Sequence, residues 1–369
     1  MDKYSIEEYF NDVEVETSYN GYFYSVPDAI GIAILGTFCG LENMKKIIQW
    51  AKSERVRAFL KEQFSIYEVP CYSWFTQIIG NIKPESFNEC FIKWILAVVG
   101  SISGGTLSLD GKTVCSTAKM KSYKNPLHIV SAQLAEFGIT IGQKAVNDKS
   151  NEIPAVRELL DLLNIKGCMI VADALNCQKE TAKQIVEAGA DYLLPVKGNH
   201  ATLETDISEY VADDELRASM DKAKTLEKNR DRIERRTAYT TSDIGWLFGR
   251  EDWCGLACIG AINRQFESPA GISNEWHYYI SSKKLSAKEL LDYERKEWSV
   301  ETMHWLLDVH FAEDSCRVAE QRTQENLNII RKIVLNLLRI YKNINNSKSA
   351  FSTLMFDCLL DPSAILKFL

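Results

Sequence analysis

The sequence has 369 residues, of which 46% are apolar and 25% charged, a composition typical of a globular chain with two or three domains. It contains no uninterrupted apolar run of about 18 residues and no apolar signal segment at its acidic N-terminus, so we expect a cytoplasmic protein without a transmembrane helix. The net charge of −7 counts against nucleic acid as a partner, because affinity for DNA depends largely on lysine and arginine.

The basic residues nevertheless occur in clusters. On composition alone each cluster is interpreted as a solvated surface, and an acidic active site that binds metal would account for part of the negative charge. The ten cysteines stand singly, without a C-x-x-C pair, which indicates reduced thiols rather than a zinc site. The clusters are Lys112, Lys119, Lys121 and Lys124, and then Lys222, Lys224, Lys228, Arg230, Arg232, Arg235 and Arg236.

Residues 1–100 are predicted to form a small helical domain. Pro27 and Pro84 suit the first turn of a helix, and another helix is expected from about Asn43 to Phe64. Packing or dimerisation and the binding of DNA ends are equally good roles for this domain. After Pro84 the apolar residues recur at helical spacing, at Phe87, Phe91, Trp94, Ile95 and Val98.

The pattern changes to strands after the break at residues 101–105. The predicted order is β-β-β-α-β-α-β, which is typical of an RNase-H-like domain with a mixed sheet flanked by helices. The helices are expected from Pro154 to about Leu163 and from about Gln178 to Ala188. The strands are expected at Thr106–Asp110, Leu127–Leu134, Gly138–Gln143, Cys168–Ala172 and Asp191–Val196.

Residues 200–275 differ in character and are predicted to be a β-rich insertion in the sheet domain. A further strand and helices follow, the last ending near Tyr341. We therefore expect a helical N-terminal domain at 1–100, a catalytic α/β domain at 101–345 that contains the insertion, and a C-terminal tail at 346–369.

Two aspartates, Asp110 and Asp173, each follow a predicted apolar strand. If those strands are neighbours, both carboxylates lie at one edge of the sheet, where they could hold Mg²⁺ or Mn²⁺ for phosphodiester cleavage. A turn or helix-cap role is the more common one for either aspartate taken alone. The residues alone do not choose the third ligand, because Glu301 and Asp308 lie on nearly the same helical face and Glu313 follows them.

Several motifs follow one another in a fixed order between Ile66 and Leu369. They are Leu109-Asp110-Gly111-Lys112-Thr113, His128–Ala132, Lys149–Ile153, Ala172–Gln178, Asp191-Tyr192, Val196–Asn199, Arg232–Arg236, Arg295-x-x-Trp298-x-x-Glu301 with His304-Trp305, Leu307–Val309, Glu313-Asp314 and Asn326. In this order and at this spacing they resemble the H-repeat-associated, ISAs-type insertion-sequence transposases, a group within the DDE transposases.

The resemblance implies a metal-dependent enzyme that cleaves DNA and transfers the strand of an insertion-sequence element. It implies Asp110, Asp173 and Glu301 as the catalytic triad, with two Mg²⁺ or Mn²⁺ ions. The partners would be double-stranded DNA, as element ends and target, and a second copy of the chain in a homodimer, located in the cytoplasm and at the nucleoid when bound to DNA. The expected DNA contacts are Lys112, Lys197, Arg232, Arg235, Arg236, Arg295 and Trp298, although Trp298 and Trp305 are better explained as core residues.

The sequence departs from the family pattern at several places. Cys115 stands where an arginine is usual, Arg230-Asp231 replaces a His-Gly, Glu297 replaces a histidine, and Thr302 replaces an asparagine. These departures and the acidic charge favour an alternative, a catalytically silent DNA-binding relic or regulator. A third interpretation is an RNase-H-like nuclease that does not transpose.

Overall fold

The computed structural model describes residues 6–16, 24–118, 126–146, 151–229, 232–268 and 271–369. The chain forms two compact units, each built from segments that are distant in sequence. The first comprises Met1–Ser101, Gly111–Glu152 and Glu301–Leu369, and the second comprises Ile102–Asp110 and Ile153–Val300.

From Thr106 to Val196 the helices and strands follow the predicted order, with one short helix, Cys115–Ala118, added after the first strand, and the mixed α/β class is confirmed. The helices are α1 (Ile6–Phe10), α2 (Val26–Phe38), α3 (Met44–Ala51), α4 (Glu54–Phe64), α5 (Tyr72–Asn81), α6 (Pro84–Val99), α7 (Cys115–Ala118), α8 (Glu152–Leu162), α9 (Lys179–Glu187), α10 (Ala201–Ala212), α11 (Asp214–Ser219), α12 (Ala287–Glu297), α13 (Ser299–Phe311), α14 (Gln321–Ile344) and α15 (Phe351–Leu360). The strands are β1 (Thr106–Thr113), β2 (His128–Leu134), β3 (Ile139–Val146), β4 (Met169–Ala172), β5 (Asp191–Val196), β6 (Asp221–Asn229), β7 (Arg232–Thr241), β8 (Cys258–Ser268) and β9 (Gly271–Ser281).

The N-terminal helices of the first unit begin where the sequence places helix-starting residues. Ser25 caps α2 through a hydrogen bond from the Asp28 amide, with Pro27 in the first turn, and Pro84 opens α6. The single helix expected from Asn43 to Phe64 is wrong, because the chain breaks at Lys52 and Ser53 into α3 and α4. Ser53 has the extended backbone of an N-cap, which starts a new helix.

Helix α14 is the central element of the first unit. It packs against α2, α5, α6 and β3, and nearly all of its residues from Thr323 to Arg339 are buried. Its buried residues include a polar row at four-residue spacing, Gln324, Asn328, Lys332 and Asn336, which places them on one face of the helix.

This polar row hydrogen-bonds with the segments around α14. Asn336 accepts from the Thr140 amide and donates to the Thr140 carbonyl of β3. Lys332 donates to Ser131 and Gln143, on the antiparallel pair β2 and β3. The partners compensate part of the large cost of burying polar groups, although burial still lowers the pKa of Lys332 to about 7.

The second unit contains a mixed sheet with strand order β1-β4-β5-β9-β8-β7-β6. Strands β1, β4 and β5 are parallel, and the others pair antiparallel from β5 outward. Helix α12 packs on one face, where Leu290 and Leu291 join a cluster that includes Val171, Leu193 and Ile262.

The insertion at 200–275 has two parts. Helices α10 and α11 come first, and the strands β6 to β9 then extend the same sheet from β5. The β-rich character is confirmed for the second part, but these strands do not form a sheet of their own. The insertion is therefore an enlargement of the sheet that carries Asp110 and Asp173.

The C-terminal segment 346–369 is folded rather than extended. Helix α15 packs against α2, and Phe368 stacks on Phe38 with ring centroids 5.4 Å apart. Arg55 and Asp361 form an ion pair across this contact. Within the described part of the chain, no helix has the length and apolar character needed to span a membrane.

Candidate active site

Asp110 and Asp173 occupy neighbouring positions in the sheet of the second unit. The parallel register of β1 and β4 pairs Leu109 with Ala172, and each aspartate directly follows one member of that pair. Adjacent strands lie about 4.8 Å apart, so the two backbone positions are close. The expectation that these strands are neighbours is confirmed, but β1 does not end at Asp110 and continues to Thr113.

Asp173 also has the helix-cap role that was the alternative interpretation. It caps a short 3-10 helix, Ala174–Asn176, and its Oδ1 accepts hydrogen bonds from the Asn176 amide at 3.2 Å and from the Asn176 side chain at 2.9 Å. The cap fixes the orientation of this carboxylate. Capping and ligation are compatible, because a carboxylate has two oxygens and about four lone pairs.

The end of α12 is attached to β1 inside the second unit. Ser108 donates to the Glu297 carbonyl at 2.8 Å, and Lys296 donates to the Thr106 hydroxyl at 3.2 Å. The chain therefore leaves α12 beside the strand that carries Asp110. Glu301 follows four residues after Glu297, on the exposed surface of α13 and in the first unit.

Lys112 lies in a cluster of carboxylates in the first unit. Its Nζ is 2.6 Å from Asp308, 2.8 Å from Glu313 and 3.6 Å from Asp314. Among the residues that the structure describes, these three acids are the group whose ligand atoms approach within 4.8 Å of one another. Lys112 already supplies the cation of that group, so the arrangement is explained as an internal ion cluster.

Mutual attraction shifts the pKa values in this cluster. Burial would lower the pKa of Lys112, but Glu313 and Asp308 raise it above its ordinary value. Burial would raise the pKa of Glu313, but Lys112 and Arg331 bring it below its ordinary value. Both groups are thus held in their charged forms at neutral pH. A lysine so engaged is poorly placed to contact a phosphate, in contrast to its expected role.

Three of the sequence motifs meet at Gly111. The His128 Nε2 lies 2.9 Å from the Glu152 carboxylate, and its Nδ1 lies 3.0 Å from the Thr113 hydroxyl. A Cβ atom at Gly111 would lie against His128 and Glu152. Glycine is therefore required beside Asp110 because the buried pair occupies that space.

Arg236 lies partly buried in a second ion cluster, in the second unit. It pairs with Glu234 at 2.6 Å and with Glu294 at 3.3 Å, and Arg264 pairs with the same two acids. This contrasts with the expected contact between Arg236 and DNA, since the guanidinium is already paired between the sheet and α12. Arg235 points outward, with 57% of its side chain exposed and only a distant partner in Glu267 at 3.8 Å. The side chain of Arg232 lies outside the described residues, as do Lys119, Lys121, Lys124, Lys149 and Arg230-Asp231.

The other expected DNA contacts are exposed. Lys197 directly follows β5, and Arg295 is more than half exposed while paired with Glu227. Trp298 is 44% exposed, with Arg264 over its ring at 5.1 Å, and Trp305 is 58% exposed. The interpretation of both tryptophans as core residues is therefore wrong.

Sequence reasoning missed the partners of both ion clusters. Glu294 and Arg264 were not singled out, and Glu313 was considered only as a metal ligand. For Glu294 a signal was present, because α12 has apolar residues at Ala287, Leu290 and Leu291 and position 294 continues that buried face at helical spacing. No comparable signal identifies Arg264 before the strand register is known.

A parallel core of strands with two carboxylates at neighbouring positions is the kind of scaffold used by enzymes that hold divalent ions for phosphoryl transfer. A family model described as "Transposase DDE domain" matches residues 105–337, and a second, described as "DDE_Tnp_1-associated", matches residues 7–95. The chain belongs to the DDE transposase family.

Curated relatives from Escherichia coli match most of the chain. "Putative transposase YncI" of strain O157:H7 is 32% identical over 87% of this chain and 84% of its own length. "H repeat-associated putative transposase YhhI" of strain K12 is 31% identical over 85% of each chain. The resemblance to H-repeat-associated transposases is thereby confirmed.

Among solved structures, a piggyBac transposase in a synaptic complex with hairpin DNA matches with a TM-score of 0.44 and 10% identity. The match covers 99% of this chain and 77% of that one. At this distance the likeness carries no argument about the site.

Proposed function

We propose that the chain is an insertion-sequence transposase that cleaves DNA at the ends of its element and joins them to a target. The observation that carries this proposal is the register of β1 and β4, which gives Asp110 and Asp173 neighbouring positions in a chain of the DDE transposase family. Asp110, Asp173 and Glu301 would be the metal ligands. Two Mg²⁺ or Mn²⁺ ions held there would supply Lewis-acid stabilisation and activation of the attacking oxygen.

Glu301 is the third ligand of this proposal because it occupies the glutamate position of the Arg295-x-x-Trp298-x-x-Glu301 motif, by which the chain resembles the family. The Glu297 carbonyl, four residues earlier, accepts a hydrogen bond from Ser108, which attaches the end of α12 to the strand that carries Asp110. Asp308, two helical turns further along α13, is the competing choice, but its carboxylate already accepts hydrogen bonds from Lys112.

The chain's own residues would orient the substrate. Lys197, exposed at the end of β5, would contact a phosphate next to the carboxylate pair, as would Arg295. Trp298 would stack on an unpaired base, an interaction that tolerates any base. Because transposition joins two element ends, we propose a homodimer as the working form. We also propose that residues 1–100 and 101–345 act as separate functional regions and that 346–369 is an accessory segment.

The test is a cleavage assay on duplex DNA that carries the ends of the element. Wild-type protein should nick it with Mg²⁺ or Mn²⁺, and Ca²⁺ should bind without supporting cleavage. Asp110→Asn should abolish cleavage, whereas Asp161→Asn, an exposed aspartate of α8, should not. Cleavage that persists in Asp110→Asn, or that needs no divalent ion, would contradict the site assignment.

A second candidate is a DNA-binding relic without catalytic activity. It is favoured by the ion pairs of Lys112, Arg236 and Arg295, which occupy three of the expected phosphate contacts. The same assay separates the two candidates, since the relic would bind DNA ends and leave them intact under every metal condition.

Arg235 is the exposed arginine of β7 through which we expect the enlarged sheet to meet DNA. Arg235→Ala should lower the slope of log affinity against log salt concentration by about one unit, because one phosphate contact is lost. The ion pair between Arg235 and Glu267 is exposed and therefore weak, so it should not prevent Arg235 from contacting a phosphate. Binding isotherms at several salt concentrations give the slope, and Arg157→Ala on α8 is the control. An unchanged slope would identify Arg235 as a solvated surface charge.

A further inference from the structure

The first unit contains a cavity of about 370 Å³ that the transposition mechanism does not use. It lies between the start of α3 and the segment that joins α13 to α14. A cavity of this volume is at the lower end of the range for small-ligand sites. Its lining includes both apolar and basic side chains, and the residues that define it are Lys45, Tyr72, Phe311, Arg317, Leu327 and Arg331.

Arg331 is the distinctive residue of this cavity. Only 4% of the residue is exposed, and its Nη1 atom is buried without a hydrogen-bond partner among the residues described. Leaving a buried charged donor unpaired costs free energy. Glu313 attracts Arg331 electrostatically, but that carboxylate is already engaged by Lys112 and Asn328.

Other positive groups line the same cavity. Lys45 and Arg317 are exposed at its rim. Asn43, the N-cap of the eight-residue helix α3, also lines it, so the positive end of that helix faces the space. Glu42 is the acid on the lining, and it pairs with Lys46. His310 also lines the cavity, together with Tyr72 and Cys316. Burial lowers the pKa of His310, so it is mainly neutral at pH 7.

We propose that this cavity binds a phosphate group on a ligand of mononucleotide size. Arg331 would hold the phosphate by charge-assisted hydrogen bonds, with Arg317, Lys45 and the α3 N-terminus completing the anion site. Tyr72, Phe311 and Leu327 provide the surface on which a base would lie. The ligand is either a free nucleotide or a nucleotide within a DNA strand, since the two present the same chemistry.

The binding is tested with full-length protein in EDTA, so that a failure of metal-dependent cleavage does not affect it. Inorganic phosphate, dAMP, deoxyadenosine and a single-stranded 12-mer are titrated and followed by thermal shift and calorimetry. dAMP should raise Tm and deoxyadenosine should not. An oligonucleotide that binds more tightly than dAMP identifies DNA as the source of the phosphate, and the reverse order identifies a free nucleotide.

The variants separate the cavity from general surface charge. Arg331→Gln should weaken dAMP binding about ten- to hundredfold, with each shift in Tm measured against the ligand-free Tm of the same variant. If Arg331→Gln fails to fold, the rim variants Arg317→Gln and Lys45→Gln still test the site and should each weaken binding. Arg57→Gln, an exposed arginine of α4 outside the cavity, is the control. The proposal is overturned if neither dAMP nor the oligonucleotide stabilises the wild-type protein, or if all the variants bind as it does.

Discussion

Glu301→Gln is expected to abolish DNA cleavage while DNA binding persists. The substitution keeps the size of the side chain but removes the negative charge of a proposed metal ligand. Ligated divalent ions contribute several kcal/mol of transition-state stabilisation, so we expect a loss of roughly a thousandfold in the rate of nicking. Binding should remain within a few-fold of wild type, because the expected phosphate contacts at Lys197, Arg235 and Arg295 are unchanged. Single-turnover nicking and gel-shift titrations measure the two effects separately.

The matched control is Asp308→Asn, seven residues further along α13. Asp308 is engaged with Lys112, and Glu313 and Asp314 remain to hold that lysine, so measurable cleavage should be retained. An active Glu301→Gln together with an inactive Asp308→Asn would reassign the third ligand. The assignment of the chain to the DDE transposase family would remain valid in that case, because it does not depend on which acid is the third ligand.

Lys112→Met is expected to destabilise the first unit by about 3–5 kcal/mol, the cost of breaking a buried ion pair from one side. Glu313 is buried and would lose its principal cation, so the effect of burial, which raises its pKa, would be less well opposed. Chemical denaturation measures the change. The double variant Lys112→Met/Glu313→Gln should recover part of the loss, because it removes the uncompensated charge as well.

The effect of Lys112→Met should depend on pH. The folded-state pKa of Glu313 lies below its ordinary value of 4.5, so its contribution to stability is fully present above about pH 4.5 and is lost as the pH falls through the lower value. Burial raises the pKa of Asp308 above its ordinary value of 3.8. Ionisation of Asp308 therefore lowers the stability of the folded protein as the pH rises above 3.8, which is the opposite of the effect of Glu313. The difference in stability between wild type and Lys112→Met should therefore shrink on acidification below about pH 4.5.

Lys112 was also expected to contact a phosphate, and the same variant distinguishes that role. If Lys112→Met lowers the salt slope of DNA binding by about one unit and leaves stability unchanged, the lysine acts on DNA. If Lys112 instead serves the ion cluster, Lys112→Met should lower the stability and leave the salt slope of DNA binding unchanged.

The elements whose patterns are strongly periodic could be predicted from the sequence. Strand β5 has the predicted bounds, and α6 begins at the predicted Pro84, since proline and apolar runs act locally. Helix α5 was not predicted, and the boundary between α3 and α4 was missed. The apolar residues of α5 do lie on one buried face, but α5 is short and Gly80 gives no clear signal for its end.

The candidate site was predictable where it depends on strand ends and not where it depends on distant partners. Asp110 and Asp173 could be paired because parallel strands bring their ends together. The ion partners of Lys112 and Arg236 lie about 200 and 60 residues further along the chain, and such pairings depend on tertiary packing that no local pattern encodes. Exposure of Trp298 and Trp305 was missed for a related reason, because hydrophobicity alone favours burial.

The central position of α14 has a consequence for how the chain is made. Helices α2, α5 and α6 leave the ribosome long before α14, which lies more than 200 residues later. At about 5–20 residues per second, the apolar faces of these helices stay uncovered for roughly 10–60 s until α14 has been synthesised. A nascent chain in this state exposes the surface that chaperones and proteases recognise. Any truncated product that ends before Gln321 would carry that surface permanently, so a frameshift or early stop should yield rapid degradation rather than a partially active fragment.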